Sequence, residues 1–117
     1  MSRSNQNLHP PIFKDEVLDR IGGDDSFLAE LLEMYDAEFA EKSAGLAQAV
    51  QAKEFTAILT LGHSLKGSSA NLSLPGLRDE AFAMETAGQT KDLARAEMAL
   101  SGLRREYKRL KDFLARA

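Results

Sequence analysis

The sequence predicts an all-α protein: an antiparallel up-down-up-down four-helix bundle with a short additional N-terminal helix. Three observations carry this expectation. Apolar residues return at spacings of three, four and seven along most of the chain, the period of helices that each bury one face. Gly-Gly-Asp and Ser-Leu-Pro-Gly segments break that period, and short connections make successive helices antiparallel neighbours. No stretch alternates apolar and polar residues as a half-buried strand does.

The elements follow in order. A short helix is expected from about Phe13 to Ile21, with Val17, Leu18 and Ile21 on one face and Gly22-Gly23 to stop it. It would close one end of the bundle. Asp24 or Asp25 can cap the second helix by accepting hydrogen bonds from its free N–H groups. That helix carries Phe27, Leu28, Leu31, Leu32, Tyr35, Phe39, Leu46 and Val50 on one stripe and runs to about Ala52. The third begins near Glu54, and its seam is Phe55, Ile58, Gly62, Leu65, Ser69 and Leu72. Ser73-Leu74-Pro75-Gly76 ends it, and Pro75 suits the first turn of the fourth. The fourth holds Leu77, Ala81 and Met84 and is expected to end at Gly88. The fifth starts near Lys91 and repeats Leu93, Ala96, Leu100, Leu103, Tyr107, Leu110 and Leu114.

With 117 residues the chain has room for one domain, taken as residues 12–117 after a flexible tail at 1–11 that ends in Pro10-Pro11. The tail has no apolar core of a signal peptide, and no apolar run approaches the roughly 20 residues of a membrane span. A cytoplasmic setting is expected, with no membrane partner. The absence of cysteine excludes disulfides and thiolate metal sites. A net charge of −3 argues against nucleic acid as a partner. Charge is unevenly spread: Asp15 to Glu41 holds ten acidic residues and one basic residue, Arg20, whereas Arg104, Arg105, Lys108, Arg109, Lys111 and Arg116 make the last helix basic. These faces read as solvated helix surfaces that attract one another across the bundle. Met1 and the short stretch after the last helix suggest an independent protein.

The chemistry centres on the third helix. On a wheel of 100° per residue, its seam residues cluster together and His63 points roughly 130° away from them. His63 is therefore expected to be exposed. Lys66 and Gly67 lie one turn on, and Leu59 and Ala70 complete the same patch. Gly67 costs the helix roughly 1 kcal/mol relative to alanine, and a reason for it is to let another surface approach His63. A neutral imidazole whose Nδ1–H is held by a carboxylate presents the Nε2 lone pair as a nucleophile. A phosphoryl group on Nε2 would be stabilised by a nearby ammonium such as Lys66. The other chemistries fit less well. Thr60 stands three residues before His63 and Gln6 three before His9, so the Glu-x-x-His pattern of bundle metal sites is missing. A Ser-His pair using Ser64, Ser68 or Ser69 has no recognisable oxyanion hole. Neither GxxxxGK[ST] nor GxGxxG occurs.

The run His63-Ser64-Leu65-Lys66-Gly67-Ser68-Ser69-Ala70-Asn71-Leu72 resembles the His-x-x-Lys-Gly signature of histidine-containing phosphotransfer (HPt) domains. The resemblance extends from about Asp15 to Leu114. It implies a four-helix-bundle phosphocarrier of two-component phosphorelays, without kinase activity of its own. It implies that His63 is the phosphorylated residue, Lys66 the stabilising cation and Gly67 the gap that admits a receiver domain. Ser68 matches a supporting hydroxyl, and Glu85, after Met84, matches the Glu or Gln that holds the histidine Nδ1. The implied partners are response-regulator receiver domains and a hybrid histidine kinase, and the implied state is a monomer. No intrinsic cofactor is expected; Mg²⁺ belongs on the receiver. Receiver docking is expected over His63, with Ile21, Phe27, Leu28, Leu59 and Ala70 as contacts. The alternative is a helical adaptor that binds a receiver or kinase without carrying phosphate. One departure concerns Ser73, where the family commonly has Gly. A left-handed helix end is harder for Ser, so the turn is expected to shift toward Pro75-Gly76.

Overall fold

The helical period dictates what the computed structural model displays: over the residues it describes, 9–116, the protein has five α-helices and no strand. They are α1 (Lys14–Arg20), α2 (Asp25–Ala52), α3 (Phe55–Asn71), α4 (Pro75–Thr90) and α5 (Leu93–Arg116). Of the expected N-terminal tail, residues 1–8 lie outside the described residues. His9 offers its carbonyl to Arg109 of α5 at 2.7 Å, and Pro11 and Ile12 are buried.

Each boundary has a local cause. Gly22 and Gly23 take positive φ angles of 84° and 78° and stop α1. Asp24 caps α2 by accepting from the Phe27 N–H at 3.0 Å. Pro75 opens α4 at a position where its missing N–H costs nothing. Three helices end on left-handed residues that are not glycine: Lys53, Ser73 and Lys91. After α3 the Ser73 N–H bonds to the Ala70 carbonyl at 3.1 Å and the Leu74 N–H to the Ser69 carbonyl at 2.9 Å, a Schellman ending. Two expectations are corrected here. The turn does not shift toward Pro75-Gly76, because Ser73 itself adopts φ 56°. Its hydroxyl donates to Glu16 at 2.6 Å and accepts from Arg20 at 2.7 Å, which offsets the conformational cost. And α4 does not end at Gly88 but runs one half-turn further, to Thr90.

Gly88 serves packing instead. A Cβ there would lie 2.7 Å from the Leu59 Cα of α3, and one on Gly62 would lie 2.7 Å from the Glu85 nitrogen of α4. The two glycines let the α3 and α4 backbones approach at both contact points. These contacts run in opposite sequence order along the two helices. The same holds between α2 and α3, where Glu38 meets Ser68 and Lys42 meets Ser64. Between α4 and α5, Glu106 fills the room beside Gly76, and Glu80 the room beside Gly102. α2 packs on α3 and α5, and α4 on α3 and α5, so the four long helices enclose one core. Leu46, Ile58, Leu65, Met84 and Leu103 are fully buried there. Tyr35 reaches through it to share a 2.8 Å hydrogen bond with Ser69, and burial pushes its phenol pKa up. Phe39 stacks on Tyr107 at 4.2 Å, and Tyr107 donates to Asp36 at 2.7 Å. The expected attraction between the acidic and basic helices is realised at Asp36, which also pairs with Lys111 at 2.8 Å.

α1 lies across the end of α3. The Phe13 N–H bonds to the Ser73 carbonyl at 2.9 Å, and Arg20 donates to the Asn71 carbonyl at 2.6 Å. Arg20 thus satisfies a carbonyl that the end of α3 leaves free.

Candidate functional site

His63 stands at the middle of α3, on the side away from the core, and its side chain is 67% exposed. The neighbouring Gly62 draws α4 close, which brings Glu85 within reach of it. His63 Nδ1 lies 2.9 Å from Glu85 Oε2. An ionised carboxylate only accepts, so Nδ1 carries the proton, and in the neutral form of the ring the Nε2 lone pair is free. Glu85 is ionised readily. The Lys66 ammonium holds its pKa below the ordinary carboxylate value, against the opposing effect of burial, and the His63 bond adds to the lowering. Lys66 Nζ is 2.7 Å from Glu85 Oε1, an ion pair set off the line of a formal hydrogen bond. One carboxylate therefore holds an imidazole through one oxygen and an ammonium through the other.

Gly67 lies beside this group with open space where a Cβ would be. Ser68 does not join it. Its hydroxyl points to α2 and donates to Glu38 at 2.6 Å, and also contacts the Ser64 carbonyl. Glu38 also accepts from Lys42 at 2.7 Å, and Lys42 in turn meets Ser64. Burial raises the Glu38 pKa, but the bonds from Lys42 and Ser68 outweigh it and leave a net lowering. α3 is thus held from both sides by carboxylates, Glu85 of α4 and Glu38 of α2.

Around His63 the remaining candidates divide. A groove opens between α1, α2 and the end of α3, lined by Arg20, Ile21, Phe27, Leu31, Met34 and Ser68 among others. Ile21 is half-buried there and Phe27 is 43% exposed. Leu28 is corrected: it is 3% exposed and belongs to the core, because one residue along a helix turns the side chain by about 100°. Leu59 is half-buried against Gly88, and Ala70 is exposed near Arg20. Sequence reasoning passed over Met34 and Phe82, both exposed apolar residues. Phe82 lies one turn before Glu85 with its ring centroid 5.2 Å from Lys66 Nζ. Its signal was an aromatic residue off the apolar stripe of α4.

The comparison with known families accords with this arrangement. Residues 30–113 match the model of the Hpt domain family. The chain belongs to that family, whose members are phosphocarriers of phosphorelays that interact with receiver domains. No curated protein and no solved structure matches the chain. Among the described residues no helix is long and apolar enough to cross a membrane.

Proposed function

We propose that the protein is a phosphorelay intermediate that accepts a phosphoryl group on His63 Nε2 from a receiver-domain aspartate and passes it to another receiver. The observation that carries this reading is the 2.9 Å bond from His63 Nδ1 to Glu85, which leaves an exposed Nε2 with its lone pair outward. In the transfer, Nε2 attacks the phosphorus in line, the bond from phosphorus to the aspartate oxygen breaks, and the carboxylate leaves. The return step reverses this on a second receiver. Glu85 stabilises the positive charge that the ring gains, and Lys66 stabilises the phosphoryl oxygens. A receiver would bring Mg²⁺ to neutralise charge on the transferring group, and this reading asks for no cofactor on the protein itself.

The four long helices form an up-down-up-down bundle in this reading, supported by the opposite order of contacts along each adjoining pair. The receiver docks over His63 and Gly67 and into the groove that contains Ile21 and Phe27. Ser68 supports the site indirectly, by tying α3 to α2 through Glu38.

The test is transfer of label from phosphorylated receivers to the protein and to His63→Gln. The wild type gains acid-labile, base-stable label and the variant gains none. Gly67→Gln keeps the fold and loses transfer, because a long side chain occupies the open space. A wild type that binds receivers yet takes no label would leave the adaptor role and refute the carrier.

A further inference from the structure

Phe82 is a large apolar side chain, 55% exposed, that contributes little to the core. Its position explains its cost. It lies at i−3 from Glu85, on the same face of α4, and its ring covers Lys66 Nζ at 5.2 Å, within cation–π range. Lys66 is correspondingly only 30% exposed, low for a lysine on a helix surface. The ammonium therefore has two partners, both from α4: the Glu85 carboxylate and the Phe82 ring. Glu85 and Phe82 stand one turn apart on α4, so the carboxylate and the ring meet the ammonium from different positions.

We infer that Phe82 is a positioning residue: its ring face holds the Lys66 ammonium beside His63, so that the cation is in place when a phosphoryl group arrives. The inference rests on the reading above that Lys66 stabilises that group. A lysine side chain has many rotamers, and most of them carry the ammonium into solvent, away from the imidazole. A ring face against the ammonium disfavours those rotamers without neutralising the charge, which a second carboxylate would do. Leucine can cover the lysine stem equally well but has no negative π face to attract the ammonium. Tyrosine has one. That difference separates positioning by the ring from simple apolar cover.

The experiment uses phosphoramidate, a small phosphodonor that needs no docking. His63 Nε2 forms the new bond to phosphorus, the donor's P–N bond breaks, and ammonia leaves with a proton from solvent. Phe82→Leu slows labelling of His63 about two- to five-fold, the size of an exposed cation–π contact, while Phe82→Tyr retains the wild-type rate. In a Lys66→Met background Phe82→Leu has no further effect. The second readout is the NMR shift of the Lys66 ε-methylene protons in unlabelled protein. The ring current shifts them in the wild type and in Phe82→Tyr, and the shift disappears in Phe82→Leu.

An unchanged ε-methylene shift in Phe82→Leu overturns the inference, whether or not label is taken. So does an equal slowing in the Lys66→Met background. A loss seen only with receivers as donors makes Phe82 a docking contact and likewise overturns it. If phosphoramidate labels His63 and no receiver does, the relay reading fails while the positioning role of Phe82 stands.

Discussion

Gly62 and Gly67 lie on the same helix, five residues apart, and replacing each by alanine should change stability in opposite directions. Alanine in a helix is worth about 1 kcal/mol over glycine when nothing obstructs it. At Gly67 nothing lies within 4 Å of the new methyl, so that gain is realised in full. At Gly62 the methyl would meet the Glu85 nitrogen at 2.7 Å, the Glu85 Cα at 3.0 Å and the Ala81 carbonyl at 3.2 Å. All three are backbone atoms, so no side chain can turn aside and the two helices must separate. Overpacking of this kind costs about 1–3 kcal/mol, with backbone contacts toward the upper end. After the helix-propensity gain, the net loss for Gly62→Ala is about 1–2 kcal/mol, and the two variants should differ by about 2–3 kcal/mol. Urea unfolding measures this difference directly. Thermal midpoints should separate by roughly 10–20 °C for a domain of this size. Equal stability of the two variants would refute the argument that α3 and α4 meet through glycine at Gly62.

Three further predictions concern stability elsewhere. Glu80 packs beside Gly102, and burial raises its pKa above the ordinary 4.5, with the charges of Glu106 and Asp79 adding to this and Arg105 opposing it. A carboxyl whose folded pKa is raised favours the fold below the ordinary value and loses that contribution as pH rises through the folded value. Glu80→Gln should therefore raise the unfolding midpoint at pH 7 and leave it unchanged near pH 4; a larger gain at the lower pH would show the sign to be wrong. At the helix ends, Lys91→Gly relieves a left-handed lysine and should add about 1 kcal/mol in urea unfolding, whereas Ser73→Ala keeps the backbone cost, loses the hydroxyl's bonds to Glu16 and Arg20, and should lose about 1–2 kcal/mol. Should Ser73→Ala prove neutral, the hydroxyl does not offset the left-handed turn.

Helix positions were legible because their causes are local. The apolar period, Asp24 as a cap and Pro75 as a first residue act within a turn or two, and each boundary falls within about two residues of expectation. Gly88 was misread because glycine serves two purposes, ending a helix and letting two helices touch. Only the presence of Leu59 on the facing helix tells them apart. The ending at Ser73 failed for a similar reason, since Glu16 and Arg20, which support it, lie 57 and 53 residues away. At the site, the mutual spacing of His63, Lys66 and Gly67 is written along one helix and could be read from it. The meeting of Lys66 with Phe82 is between helices and has no sequence pattern. Phe27 and Leu28 are adjacent and equally apolar, so small differences in helix phase decided which one faces the groove.

The chemistry of Glu85 explains why the site spans two helices. His63 and Lys66 are one turn apart on α3, and each needs a partner: the imidazole an acceptor for Nδ1–H, the ammonium a neighbour that keeps it from swinging into solvent. A residue on α3 itself would point along the same face and compete for the space in front of Nε2. A carboxylate arriving from the side, on α4, meets both needs with its two oxygens and leaves that front open. Glutamine in its place would have one acceptor and one donor, and would have to turn its amide away from the ammonium. The reach of Glu85 depends in turn on how near the two backbones are, and that distance is set by the missing side chain at Gly62. At Gly67 nothing lies within 4 Å of where a side chain would begin, so the surface beside His63 is open there. Two glycines on one helix therefore do opposite work: one closes the protein's own packing beneath the histidine, and the other keeps its outer face open.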